Sequence, residues 1–135
     1  MKGILADVHM AGYVEALARE MQNEYWHEIW LATGLRIVHF HEVGLTETST
    51  DVEIWKTCQA EELILLTNNR NEDSADSLNS AIRNRGTPAS LPVFTIGDLD
   101  RLRYSREYAE SAVEKLFDYV LRIEELLGTG RLFIP

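Results

Sequence analysis

The segment Leu65–Asn71, LLTNNRN, sets a threonine, three asparagines and an arginine directly after the apolar run Leu63–Leu66. A buried strand that ends in such a cluster carries polar side chains to the edge of a parallel sheet, where open α/β folds bind their ligands. Asp7 stands in the same relation to the apolar run Gly3–Ala6. If these two strands are parallel neighbours, Asp7 converges with Thr67, Asn68, Asn69, Arg70 and Asn71 on one small, oxygen-rich site. Asp51, at the start of a helix after a second strand, and Asp98, after a fourth, follow the same logic. Oxygen ligands from separate strand ends suit a hard cation such as Mg²⁺ or Mn²⁺. Such a cation orients water and stabilises charge on a phosphodiester. His9, two residues beyond Asp7, is placed to touch a substrate or to act as a general base.

Each of these residues also has a structural reading. Asp51 complements the positive end of a helix macrodipole, and Asp98 serves as a helix N-cap. Asp73 and Asp76 do the same for a helix that follows them. Asn68, Asn69 and Asn71 favour turns closed by their own side chains. Asp7, directly after a buried strand, is the hardest to explain in this way. His39 and His41 alternate with Val38 and Phe40, which places both on one face of a strand without a third histidine to complete a metal site.

The elements that position these residues alternate strand and helix. Strands are expected at Gly3–Asp7, Arg36–His41, Leu63–Thr67 and Pro92–Ile96. Apolar positions at helical spacing predict helices over 11–21, 24–32 and 106–127. Thr50 and Glu53 form a capping box that opens a helix to about Ala60. Ser74 or Asp73 caps another that runs to about Arg83. Tyr25, Trp26, Ile29 and Trp30 make one helix face strongly aromatic, suited to a core or a subunit interface. The final RLFIP, Arg131–Pro135, is an apolar tail that docks on its own domain or on a partner. Such alternation means an α/β fold with a mostly parallel sheet of four or five strands and right-handed crossovers.

At 135 residues the chain is one domain with room for a proper core, and its 45% hydrophobic content is ordinary for a globular protein. The longest apolar runs are too short to cross a bilayer, and Asp7 interrupts any leader-like stretch, so a cytoplasmic protein is expected. Cys58 is the single cysteine, which excludes an internal disulfide and a thiolate metal cluster. The net charge of −9 argues against broad nucleic-acid binding. It is uneven, however: residues 70–106 carry six arginines against five acids, leaving −10 for the remainder. That stretch is either a local basic rim for a short nucleic-acid strand or a solvated mixed-charge surface. No Gly-x-Gly-x-x-Gly follows the first strand, which removes a dinucleotide-binding enzyme. No lysine directly follows Pro92–Ile96, where Gly97-Asp98-Leu99-Asp100-Arg101 stands instead, which counts against a phosphoryl-accepting receiver.

The motifs resemble those of a known family. ILAD ending in Asp7, EVGL at Glu42–Leu45, Thr-Asp-x-x-Ile at Thr50–Ile54 and LLTNNRN at Leu65–Asn71 occur in the order and spacing of PIN-like domains of the DUF5615 type. These are relatives of the toxin nucleases of bacterial toxin–antitoxin systems. The resemblance covers about residues 2–100, with the last helix and tail (about 105–135) as an extension. It implies a Rossmann-like three-layer sandwich and an Mg²⁺- or Mn²⁺-dependent ribonuclease that acts on RNA, pairs with a small antitoxin protein and forms a homodimer. By position, Asp7 is the first acid and Asp51 the second. The third falls on Asn69 and a further aspartate on Asn71, each removing one negative charge. Glu72, Asp73 or Asp98 compensates if the loop folds inward. A catalytically inactive scaffold that works as an interaction module is the competing expectation.

Overall fold

A computed structural model describes residues 1–68 and 77–135. Its centre is one five-stranded sheet in the order β2-β1-β3-β4-β5, every neighbouring pair parallel. The strands are β1 (Gly3–Ala6), β2 (Ile37–Val38), β3 (Leu63–Thr67), β4 (Val93–Ile96) and β5 (Arg131–Ile134). Helices cover both faces: α1 (Ala11–Met21), α2 (His27–Thr33), α3 (Asp51–Glu61), α4 (Leu78–Arg85), α5 (Leu99–Tyr104), α6 (Arg106–Leu121) and α7 (Ile123–Leu126). This is an α/β Rossmann-like three-layer sandwich.

Burial on both faces explains why β1, β3 and β4 are buried throughout and, Thr67 and Thr95 apart, do not alternate apolar with polar residues. Successive side chains still point to opposite sides, and this sorts the core into two layers. Ile4, Ala6, Ile64, Leu66, Phe94 and Ile96 pack with α1, α5 and α6. Leu5, Leu63, Leu65 and Val93 pack with Ile54, Trp55 and Cys58 of α3 and Leu78 and Ala81 of α4. Burial pushes the Cys58 thiol up to about 12, so the side chain is a small apolar core group and not a nucleophile.

The caps match the chain's local chemistry. The Thr50 hydroxyl accepts the Glu53 N–H at 3.1 Å and starts α3. Gly34, at φ +66°, ends α2 in the left-handed conformation that glycine tolerates best.

Four expectations change. The second strand shrinks from Arg36–His41 to two residues, because Phe40–Val43 closes into a short 3-10 turn. Glu42 drives that turn by accepting the His39 N–H at 2.7 Å, an interaction that holds its carboxyl below the usual range. His39 and His41 are therefore not strand neighbours, although their rings lie nearly parallel at 6.2 Å. The helix after β3 begins at Leu78, with Ser77 as its cap; Asp73 and Ser74 lie outside the described residues. The long last helix divides at Arg122 into α6 and α7.

The fourth change concerns handedness. The β1→β2 crossover (α1) and the β4→β5 crossover (α5 and α6) use the same face but step in opposite directions along the sheet. They therefore have opposite hands, and the expectation of uniformly right-handed crossovers fails for one of them. The β4→β5 connection, with three helices, is long enough to escape the constraint that acts on a compact βαβ unit. The RLFIP tail is thus not an appendage but the edge strand β5, pairing Arg131–Ile134 with Val93–Ile96.

Two glycines fix its entry. Gly128 and Gly130 have φ of +81° and +84°, and a Cβ on Gly130 would lie 2.9 Å from Ile82 Cγ2. Gly130→Ala is expected to cost about 1–2 kcal/mol from backbone conformation alone. Urea unfolding measures this; an unchanged midpoint would show that the turn relaxes freely.

Candidate functional site at the carboxyl edge of the sheet

The order 2-1-3-4-5 places the topological switch point between β1 and β3, where chain connections depart to either side and a crevice opens at the carboxyl ends of the strands. Asp7 and Thr67 occupy that position. The Asp7 N–H donates to Leu66 O at 3.1 Å, so the ladder continues one residue past β1. Thr67 is fully buried, and its hydroxyl donates to Asp7 Oδ2 at 2.7 Å. The other carboxylate oxygen, Oδ1, accepts the His9 N–H at 3.0 Å. Asp7 O accepts from the Met10 N–H, which starts the 3-10 turn Val8–Met10. The carboxylate is thereby held at both oxygens, partly buried at the edge.

Beside it the sheet carries a polar row. Thr67 is in register with Thr95 of β4, so both side chains face α3 and α4. Thr95 is fully buried as well. Arg131 of β5 reaches this row from below: its Nη1 donates to Thr95 Oγ1 and its Nη2 to Asn79 Oδ1, each at 2.7 Å. Burial lowers the pKa of Arg131, and the negative charge of Asp51 raises it in part. Asp51 itself stands at the first position of α3, and its Oδ2 accepts the Leu78 N–H at 3.2 Å, at the start of α4. Thr67 and Thr95 are thus neighbours on this face, Thr67 bonded to Asp7 and Thr95 to Arg131, while the charge of Asp51 acts on Arg131.

The other expected residues distribute as follows. His9 supplies its backbone N–H to Asp7 while its side chain is exposed. Asn68 is exposed just past β3. Asn69, Arg70, Asn71 and Asp73 lie outside the described residues. Asp98 is exposed and caps α5, its Oδ1 accepting the Arg101 N–H at 3.0 Å. It lines a cleft with Arg101, Glu107 and Tyr108 on the α5–α6 side, not the crevice at Asp7. A pocket of about 380 Å³ does touch Asp7, but on the β2 side, where Val8, His39, His41, Thr46 and Glu47 help to line it; Thr67 and Asp51 are not among its lining residues. Among the described residues no three His, Cys, Asp or Glu side chains gather as a metal-holding group.

Thr95, Asn79 and Arg131 are absent from the sequence-based expectation. The faint signals were a threonine inside the apolar run VFTI and a charge at the head of an apolar tail. Of the basic segment, Arg83 and Arg85 are exposed at the end of α4 and Arg70 lies outside the described residues, while the other three arginines lie away from Asp7. Arg101 stacks on Tyr108, Arg103 on Tyr13 and Tyr104, and Arg106 pairs with Glu110. These belong to α5 and α6, the helices packed on the opposite face of the sheet.

The fold and site define a doubly wound α/β chain with a polar, carboxylate-bearing switch point. Compared with family models, with curated proteins and with solved structures, the chain gives no match.

Thr67→Val keeps the shape and removes the donor to Asp7. Losing a hydrogen bond to an ionised group is expected to cost about 1.5–3 kcal/mol at neutral pH, read by denaturant unfolding. A cost near zero would mean that water replaces the hydroxyl and that Thr67 does not anchor Asp7.

Proposed function

We propose that the chain is a PIN-like domain whose carboxyl edge acts on RNA phosphodiesters with a divalent cation, Mg²⁺ or Mn²⁺, held by Asp7 and Asp51. The observation that carries this reading is the Asp7 carboxylate held by the Thr67 hydroxyl and the His9 N–H at the switch point, with Asp51 at the start of α3 on the same face of the sheet. The donor chemistry fits the cation. Mg²⁺ takes hard oxygens and is commonly held by one or two carboxylates, with water and substrate phosphate completing its shell. When bound, the ion offsets negative charge on a phosphodiester undergoing hydrolysis. The chain's own residues then have separate tasks. Asp7 and Asp51 hold the cation, and Thr67 keeps Asp7 aimed. Asn69 is a neutral ligand or substrate contact, and Arg70, Asn68, Asn71 and His9 are candidate substrate contacts. Glu72 and Asp73 are the nearest acids in sequence able to add charge. A small antitoxin protein and a second copy of the chain are the partners that this reading carries with it.

A second reading, a catalytically inactive scaffold, is favoured by a different observation. No residue of α2 is buried, and Tyr25, Leu31, Leu121 and Phe133 are all more than half exposed. A cleft of about 400 Å³ lined by Trp26, Phe117, Leu121 and Pro135 lies on the same side as α6. Exposed apolar surface of this kind suits protein contact. No helix among the described residues is long and apolar enough to cross a membrane.

Calorimetric titration with Mn²⁺ separates the two readings. The nuclease reading expects micromolar binding by the wild type and none by Asp7→Ala, with Asp51→Asn weakened at least tenfold. No binding by the folded wild type would remove the cation mechanism and leave the scaffold.

A further inference from the structure

The pocket on the β2 side of Asp7 has the make-up of a subsite for a flat, neutral ring. Ala6, Phe40 and Leu45 line it and are themselves buried, so its inner wall is apolar. His41, Thr46 and Glu47 line it as exposed residues and give it a polar rim. An apolar wall, a few polar groups and a volume of about 380 Å³ are the features of small-molecule sites.

The segment that builds the pocket is fixed by its own bonds. The Leu45 N–H donates to Phe40 O at 3.0 Å, across a turn that ends at Gly44 with φ +78°. The Thr46 N–H donates to Ser49 Oγ at 2.9 Å, and the Ser49 N–H to Thr46 O at 3.1 Å. Thr50 then caps α3, whose first residue is Asp51. The pocket thus touches one of the two proposed cation-holding carboxylates and is walled by the segment that leads to the other.

Three observations select the occupant. The His39 and His41 rings lie within 4° of parallel, and both residues line the pocket, so a flat ring stacked on one is aligned with the other. Splayed nucleobases are commonly held by stacking of this kind. Asp7 and Glu47 bring two carboxylates to the pocket, on a chain of net charge −9. A phosphate is repelled there, whereas a neutral base is not. Finally, the Glu47 carboxylate has no hydrogen-bond partner among the described residues. An ionised carboxylate accepts hydrogen bonds and donates none, so it selects a base edge rich in donors. Guanine offers N1–H and N2–H₂ side by side. Adenine and cytosine offer one amino group beside an acceptor, and uracil one N–H between two acceptors.

We propose that this pocket takes a guanine base from the nucleotide whose phosphate meets the cation at Asp7, with His41 stacking on the ring and Glu47 accepting from N1–H and N2–H₂. This rests on the ribonuclease reading and adds a base preference to it.

The test compares two dye-labelled single-stranded ribonucleotide pentamers, one all uridine and one with a central guanosine. Binding is followed by fluorescence anisotropy with Ca²⁺ in place of Mn²⁺. The wild type is expected to hold the guanosine pentamer about tenfold more tightly, the scale of one bidentate contact to a base edge. Glu47→Ala should bring the ratio of the two affinities close to one; because the ratio is read, a general gain in affinity from the lost charge cancels. His41→Ala should bind the guanosine pentamer about fivefold more weakly through lost stacking. Both side chains are exposed, and circular dichroism confirms that the variants fold. Equal binding of the two pentamers by the wild type, an unchanged ratio in Glu47→Ala, or unchanged affinity in His41→Ala overturns the base subsite and leaves the ribonuclease reading standing. No binding of either pentamer by the wild type overturns both.

Discussion

A carboxylate at the mouth of a buried parallel sheet keeps its direction only if something dry holds it, and here that is the hydroxyl of Thr67. The bond from Thr67 Oγ1 to Asp7 Oδ2 crosses from β3 to β1, between the two strands where the topology switches. It ties a charge to a fully buried polar group, so losing either side chain takes a charge-assisted hydrogen bond from the other. The same constraint propagates along the sheet. One polar residue on an apolar face asks for a polar neighbour, and the register supplies Thr95 beside Thr67. Thr95 in turn is met by Arg131.

The carboxyl edge is thereby divided into two layers on the α3–α4 face. Leu5, Leu65 and Val93 seal the core against α3 and α4. One step further along the strands, Asp7, Thr67 and Thr95 form a polar row. The helix starts of α3 and α4 close over it, with Asp51 joining the two through the Leu78 N–H. The site is assembled from β1, β3, β4, β5, α3 and α4. Only short-range sequence separates Asp7 from His9 or Asp51 from Thr50, whereas Thr67, Thr95 and Arg131 are brought in by strand pairing.

That distinction explains what could be read from the sequence. β3 and α1 were legible because a run such as LILLT, or apolar spacing across Ala11–Met21, is a local signal, and the Thr50 cap announced α3. Asp7 was legible because it follows its strand at once. The second strand misled because His39 and His41 alternate with apolar residues, while the side chain of Glu42 bends the backbone back onto His39. The helix predicted over 106–127 breaks at Arg122, where exposed ion pairs to Asp118 and Glu125 replace buried contacts. The role of Arg131 could not be read at all. It depends on pairing between β4 and β5 across a three-helix connection, and on the Thr95 and Asn79 side chains meeting one guanidinium.

The proposed function requires Asp7 and Asp51 to share one cation site at the carboxyl edge of this sheet. A crystal structure grown with Mn²⁺, with data collected at the manganese absorption edge, tests it most directly. The account predicts an anomalous peak within about 2.0–2.3 Å of oxygens from both carboxylates. A peak at His39 and His41 instead, or none in well-ordered density around Asp7, would contradict it.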